Sequence, residues 1–434
     1  MPTISCHTLG CKVNQYDTQA MLELFVAAGY TPVPFLSRAD VCLINTCTVT
    51  GTGDKKSLQL ARRVKREYPN TKLILCGCLA QSRGEQLLSE TGADLVIGTQ
   101  HRADVVKLFE KMLAVHLPLC CVEPWPDHAP FESLNISGQD SRTRAVLKIQ
   151  EGCENRCTYC IIPSVRGPIR SRPLEDIRKE TASLSEAGFQ EIVLTGIHLS
   201  SYGRDLENHP TLLDAIRAVS EAKGILRVRL GSLEPTIATS EFAASLKSLH
   251  NICPQFHLAL QSGSDTVLRR MKRRYNTEQF MKGIQNIRNE FPHAAFTTDI
   301  LTGFPGETEE EYEETKQMIR KIGFSRIHVF PYSQREGTPA ADMPDQLSDA
   351  QKEKRARELI SLGKEETSRY LASWIGQKSV IIPEEKKDGH WEGYTPEYIR
   401  VSLSEDAEAS CGTPVAVKLV AVNTSGMDAV ILKS

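Results

Sequence analysis

The chain has 434 residues, 40% of them hydrophobic and 24% charged, and a formal net charge of −2. That length holds more than one core at about 100–200 residues per domain, and a near-neutral chain excludes nucleic-acid binding through a global basic field. MPTISCHTLG lacks the basic and apolar regions of a signal peptide, and no stretch approaches the ~20 apolar residues of a membrane span. The expectation is therefore a cytoplasmic protein, away from membranes. In that reducing setting its 13 cysteines read as ligands, reactive thiols or small buried residues rather than disulfides.

Residues 1–114 alternate strands and helices. TISCHTL reads as a strand, and residues 14–29 have helical apolar spacing ending at a glycine. DVCLINT is a second strand, followed by a basic helix over 52–68. KLILCG is a third, followed by a helix near 81–89. DLVIG and a helix over 103–113 complete a doubly wound α/β domain. Residues 115–143 read as a linker, with four prolines, the adjacent Cys120 and Cys121, and the polar run SGQDSRTR.

Residues 144–370 hold a second series. Strands are expected at RAVLKIQ, EIVLTGI, ILRVRLG, FHLALQS, AAFTTDIL and RIHVFPY, each followed by a helix. Six such units fit a parallel barrel or an open partial (βα)6 barrel, whose chemistry sits at the carboxyl ends of the strands. A long charged helix over 348–374 leaves this unit. Residues 371–434 alternate short β-rich runs with turn residues, which predicts a small β-barrel.

The cysteines carry the chemistry. EGCENRCTYCIIP places Cys153, Cys157 and Cys160 on a loop after the first barrel strand, between Gly152 and Pro163. Three thiolates without a fourth nearby suit a metal centre that keeps one position open, such as an iron–sulfur cubane. Zinc completed by a distant ligand is the alternative. Tyr159 is placed to cover a small molecule at the open position. Cys6, Cys42 and Cys76 lie inside strands as buried thiols. Cys11, Cys47 and Cys78 lie just past the ends of the first three strands, where ligands gather in open α/β sheets. They either meet as a second centre or are scattered core residues.

With both triads assembled, the chain resembles the radical S-adenosylmethionine methylthiotransferases from end to end. GCENRCTYCIIP looks like that family's cluster loop. TLGCKVNQYDT, NTCTVT and GCLAQ look like its three N-terminal cluster segments, and GYTPEYIRV resembles the core of its C-terminal TRAM domain. One departure is Glu397, where TRAM segments often carry Asn. The wording of TLGCKVNQYDT is similar to the branch that modifies N6-threonylcarbamoyladenosine at position 37 of tRNA, beside the anticodon. Branches that modify isopentenyladenosine or a ribosomal-protein aspartate are the nearest rivals. A non-catalytic iron–sulfur RNA-binding protein is the rival of a different class.

The resemblance implies two 4Fe-4S clusters, one on Cys153, Cys157 and Cys160 and the other on Cys11, Cys47 and Cys78. It also implies S-adenosylmethionine, a tRNA partner and a low-potential electron donor such as flavodoxin or ferredoxin. Cofactor contacts are expected from Tyr159, Thr195, Gly196, Arg229, Ser232, Glu234, Gln261 and Gly303. For each, a turn glycine or a merely satisfied buried polar group is the alternative. RNA contacts are expected from Arg166, Arg170 and Arg172 in RGPIRSR and from Tyr394 and Tyr398. The basic run RRMKRRY is the densest, although such runs are usually solvated helix faces.

Overall fold

The computed structural model describes residues 1–138, 143–404 and 407–432. Residues 139–142 of the expected linker, and 405–406 and 433–434 of the expected C-terminal unit, lie outside the described residues.

The N-terminal sheet has six parallel strands, β1 (Thr3–Thr8), β2 (Thr31–Pro32), β3 (Val41–Thr46), β4 (Lys72–Gly77), β5 (Leu95–Ile97) and β6 (Leu119–Cys121). Their order is β2-β1-β3-β4-β5-β6. VCLINT in β3 is buried at every position, as a strand covered on both faces requires. One core, with Ile4, Phe25 and Phe109, lies on one side, and a second, with Ile44, Val64 and Leu87, on the other. Helix α1 (Lys12–Ala27) and helix α2 (Gly51–Glu67) follow β1 and β3. Helix α3 (Cys78–Arg83) begins on a cysteine, earlier than expected. The switch point between β1 and β3 has the carboxyl-end position at which ligands bind in such sheets.

The central unit contains β7 (Arg144–Glu151), β8 (Arg170–Ser171), β9 (Glu191–Gly196), β10 (Arg227–Leu230), β11 (Ser232–Leu233), β12 (Gln255–Leu258), β13 (Ala295–Thr302) and β14 (Arg326–Pro331). Two four-stranded sheets, β10-β9-β7-β8 and β11-β12-β13-β14, meet where the third expected strand breaks at Gly231 into β10 and β11. Only β8 runs antiparallel to its neighbour. The wall is open between β8 and β14, and one large core, including Leu147, Leu194, Phe256 and Ile300, supports it.

The segment 122–138 is not a free linker. Leu134 and Ile136 are buried in the central core. The Trp125 ring lies 3.8 Å from the Arg170 guanidinium. Glu132 accepts from Arg102 at 2.7 Å. Cys120 and Cys121 belong to β6 on the sheet edge.

The helix Asp349–Ala372 packs along β14 and leads into β15 (Lys378–Lys387), β16 (His390–Tyr394), β17 (Arg400–Leu403), β18 (Val415–Val422) and β19 (Met427–Ile431). These five strands pair in the closed order β15-β16-β17-β19-β18 around Ile381, Val401, Val417 and Met427. The closed sheet sits against the amino ends of the central strands. Arg227 donates to the carbonyls of Tyr394 at 2.9 Å and Val380 at 2.7 Å, and Arg144 pairs with Glu384 at 2.8 Å. Among the described residues, no helix is long and apolar enough to cross a membrane.

Candidate metal centres

The folded chain gathers Cys11, Cys47 and Cys78 at the carboxyl ends of β1, β3 and β4. Gly10 has φ +98°, and a Cβ there would lie 3.0 Å from both Cβ and Sγ of Cys47. Only glycine lets the first loop approach the second so closely. Asn14 staples these loops, donating to the Leu9 carbonyl at 2.7 Å and the Thr46 carbonyl at 3.1 Å. Thr46 Oγ1 in turn accepts from the Ala80 N–H in α3 at 3.2 Å. Burial, with smaller contributions from the other two thiols, pushes Cys47 up to about 11. Burial also raises Cys78, opposed by Arg166.

Cys153, Cys157 and Cys160 converge on the other side of the domain boundary. Gly152 has φ +74°, and a Cβ there would lie 1.7 Å from the Pro168 carbonyl oxygen. The Cys153 N–H donates to Gly167 O at 3.1 Å, and the Thr158 N–H to Met271 O at 3.1 Å. The three thiols line a cavity of about 160 Å³ at the carboxyl ends of the strands, together with Tyr159, Ser232, Glu234 and Gln261. Arg273 donates to Cys157 Sγ at 3.2 Å and to Glu234 Oε1 at 2.7 Å. Burial pushes Cys153 up to about 11 and Cys160 to about 12, so binding as thiolate requires a cationic partner such as a metal. Among the described residues, no three His, Cys, Asp or Glu groups close to the spacing of a single metal ion. Three thiols on one cavity, with no fourth protein ligand of Cys or His type among its lining residues except His198, fit a multi-iron group that takes one thiolate per iron, whereas structural zinc takes four protein ligands.

The remaining expected cofactor residues stand differently. Thr195 and Gly196 end β9, just before Ile197, which lines the cavity; they do not line it themselves. The space beside Gly303 is filled by Lys352, whose Cγ would lie 2.4 Å from an added Cβ, and the Gly303 N–H donates to Glu307 at 2.7 Å. Arg229 is buried and donates to Glu191 at 2.8 Å and to the carbonyls of Pro396 and Thr395 at 2.9 and 3.3 Å. Its arms join the closed sheet and are committed away from the cavity.

The RNA contacts expected of the three arginines need correction. Arg166, Arg170 and Arg172 are fully buried. Arg170 donates to the carbonyls of Arg166 and Pro168, both at 2.9 Å, and Arg172 binds Glu180, Tyr16 and Asn135. A side chain out of solvent cannot meet a phosphate. Tyr394 and Tyr398 stack on one another at 4.8 Å, with Arg144 over both rings. Both are half-buried at the seam with the central unit, where they also line a cavity with Glu397 and Arg400.

A buried charge network, absent from the sequence expectations, joins the strand that leads into the radical loop to the N-terminal triad. Asp17 of α1 and Glu151 of β7 share Arg102, Lys148 and Arg166. Burial alone would raise the Glu151 carboxyl, but Arg102, then Lys148 and Arg166, hold it well below its ordinary range. A lysine and a glutamate inside the apolar strand RAVLKIQE were the available signal. Arg166 completes the link by donating Nε–H to Cys78 Sγ at 3.1 Å.

Two family models match the chain, the Radical SAM superfamily over residues 147–319 and Uncharacterized protein family UPF0004 over residues 3–98. Each contains one thiol triad. The chain is 40% identical over 425 residues to the threonylcarbamoyladenosine tRNA methylthiotransferase MtaB of Bacillus subtilis, spanning 97% of this chain and 94% of that relative. The chain belongs to the MtaB family. A Thermotoga maritima MtaB is 34% identical over 429 residues, spanning 95% and 97%. A tRNA-2-methylthio-N(6)-dimethylallyladenosine synthase of Carboxydothermus hydrogenoformans is also 34% identical, over 362 residues and 82% of each chain. Membership of the MtaB family thus rests on full-length likeness as well as on the shared radical chemistry. Among solved structures, the cobalamin- and cluster-bound radical S-adenosylmethionine methyltransferase TsrM of Kitasatospora setae matches with TM-score 0.59 at 14% identity. That match spans 78% of this chain and 77% of that chain, a likeness of fold. With its radical SAM domain, this MtaB family member takes an iron–sulfur cluster and S-adenosylmethionine.

Proposed function

We propose that this protein converts N6-threonylcarbamoyladenosine at position 37 of tRNA to its 2-methylthio derivative. The observation that carries the reading is the pair of thiol triads, one in each matched domain, with Arg166 from the helix after the radical loop reaching Cys78, in a chain that resembles MtaB proteins along its length.

The hydrogen on carbon 2 of adenine has no useful acidity, so no side-chain base removes it. The cluster and S-adenosylmethionine, when bound, supply radical chemistry for that bond. Cys153, Cys157 and Cys160 would hold the first cluster. Tyr159, Ser232, Glu234 and Gln261 surround the space beside it, where they can orient the cofactor and exclude water. Arg273 fixes Glu234 and holds charge against Cys157. Cys11, Cys47 and Cys78 would hold a second 4Fe-4S cluster, the site of the sulfur to be inserted. Flavodoxin or ferredoxin would supply low-potential electrons.

The closed C-terminal sheet is read as a TRAM-like RNA-binding domain over residues 371–434, after an N-terminal domain over 1–114, a connecting segment over 115–143 and a radical domain over 144–370. Among the described residues its solvent-facing cations include Lys378, Lys386, Lys387 and Lys418, and α2 exposes Lys55, Lys56, Arg63 and Arg66. These, rather than the buried arginines, are available to tRNA phosphates.

Nucleoside mass spectrometry of tRNA from a deletion strain tests the proposal. The 2-methylthio derivative of threonylcarbamoyladenosine should vanish, and return with the intact gene but not with Cys153→Ala. Loss of the isopentenyladenosine derivative instead would assign the chain to the second reading, which the 34% likeness to the dimethylallyladenosine synthase keeps in view.

A further inference from the structure

Arg166 is the last residue of the short helix Ile162–Arg166, which directly follows the radical loop. Its side chain nevertheless crosses into the N-terminal domain. Nη2 binds Asn14 Oδ1, Nη1 binds Glu151 and Asp17, and Nε–H points at Cys78 Sγ at 3.1 Å. Every arm has a partner, and the residue is fully buried. The two carboxylates it meets are already shared with Lys148 and Arg102. With Glu132 also on Arg102 and Arg170 3.8 Å from Glu151, four cations stand against three carboxylates, so the carboxylates do not cancel the guanidinium charge at the sulfur.

Adding an electron to a thiolate-held cluster adds negative charge, which a buried cation beside a ligand sulfur such as that of the buried Cys78 stabilises. Hydrogen bonds to the sulfurs and nearby charge are levers that set the reduction potential of such a cluster. We infer that Arg166 is a positioning residue of the N-terminal thiol centre, whose N–H···S bond to Cys78 raises the reduction potential of the cluster held there. The inference rests on the two-cluster reading given under Proposed function. It makes the helix after one triad a determinant of the redox poise of the other.

The test uses the full chain with Cys153, Cys157 and Cys160 changed to Ala, reconstituted anaerobically with iron and sulfide. Iron analysis comes first. If no cluster forms, the two-cluster reading fails, and with it the inference. If a cluster forms, its one-electron reduction is titrated with dithionite and mediators and followed by electron paramagnetic resonance. At the parent's midpoint potential, Arg166→Gln should show a reduced-to-oxidised ratio about tenfold lower, equal to a shift of about 59 mV for one electron. Arg166→Lys, which keeps the charge and loses the Nε donor, should fall between. Equal midpoints in parent and folded variants overturn the inference, as does loss of iron from both variants in an otherwise folded chain. A measurement on intact Arg166 decides even if the variants fail to fold. With guanidino-15N arginine, pulsed resonance of the reduced cluster should show a coupled nitrogen. Its absence in the parent also overturns the inference.

Discussion

Arg229 lies 4.5 Å from the centre of the Tyr398 ring while its guanidinium donates to the carbonyls of Thr395 and Pro396. Together they close the amino end of the barrel, where Arg229 also partners the buried Glu191. Arg229→Met removes these bonds and leaves Glu191 with Arg227 at 3.4 Å. Breaking a buried pair costs about 3–5 kcal/mol. Chemical denaturation should show that loss, and limited proteolysis should cut faster between the helix Asp349–Ala372 and β15. An unchanged cleavage pattern would remove the seam from the list of structural determinants.

Gly152→Ala should cost more than an ordinary glycine substitution. The residue has φ +74°, and its new methyl would meet Pro168 O at 1.7 Å. The left-handed backbone alone costs about 1–3 kcal/mol, and the clash forces the radical loop to move. Iron bound after anaerobic reconstitution should drop by the share belonging to the first triad, with the second triad's share retained.

Lys148→Met keeps the length of a fully buried side chain and removes its charge. Asp17 and Glu151 each lose one cation at once. The expected destabilisation is about 3–5 kcal/mol, seen as a lowered Tm in the metal-free chain. Lys148→Met with Asp17→Asn should recover part of it. Additive losses in that double variant would show that the two side chains act independently.

Acid sensitivity has a marker in Glu311. Arg270 binds its carboxylate at 2.6 and 2.8 Å. These bonds first, with Thr266 against opposing burial, hold Glu311 down to about 2, below an ordinary value of about 4.3. Because the folded value is depressed, the stabilisation is complete above about pH 4.3 and is lost as pH falls through about 2. The Tm difference between the parent and Glu311→Gln should be full at pH 6 and shrink across that window. A difference independent of pH would mean that the charge is not what matters.

Reversing Lys55 and Lys56 to Glu should weaken tRNA binding by an amount that shrinks as salt rises, and should lower the slope of log affinity against log salt. The same change should leave iron content untouched, since both side chains face solvent. Filter binding across a salt series checks both.

Much of this architecture was legible from spacing alone. The alternation of apolar strands with helices marked both α/β units, and the place of Cys11, Cys47 and Cys78 just past three strand ends marked the N-terminal triad. The strap at 122–138 was not legible, because its prolines and polar residues read as a linker while its few apolar anchors carry no period. The roles of Arg166 and Arg273 were hidden for a different reason. A basic run gives charge but not direction, and burial decides whether an arginine meets phosphate or sulfur. Likewise, Tyr394 and Tyr398 have the composition of a base-stacking pair, but in the fold they stack on one another.

The strap has a consequence for engineering. Since Leu134 and Ile136 pack in the central core while Tyr16 of α1 binds the Leu134 carbonyl and Glu180, the boundary between the two matched domains is not a cut site. A chimera that exchanges the N-terminal domain between relatives must carry α1, the strap and the helix Leu174–Glu186 as one module. Splitting them leaves Glu180 and Arg172 facing foreign partners in a dry interior, so the graft fails at folding before any question of catalysis arises.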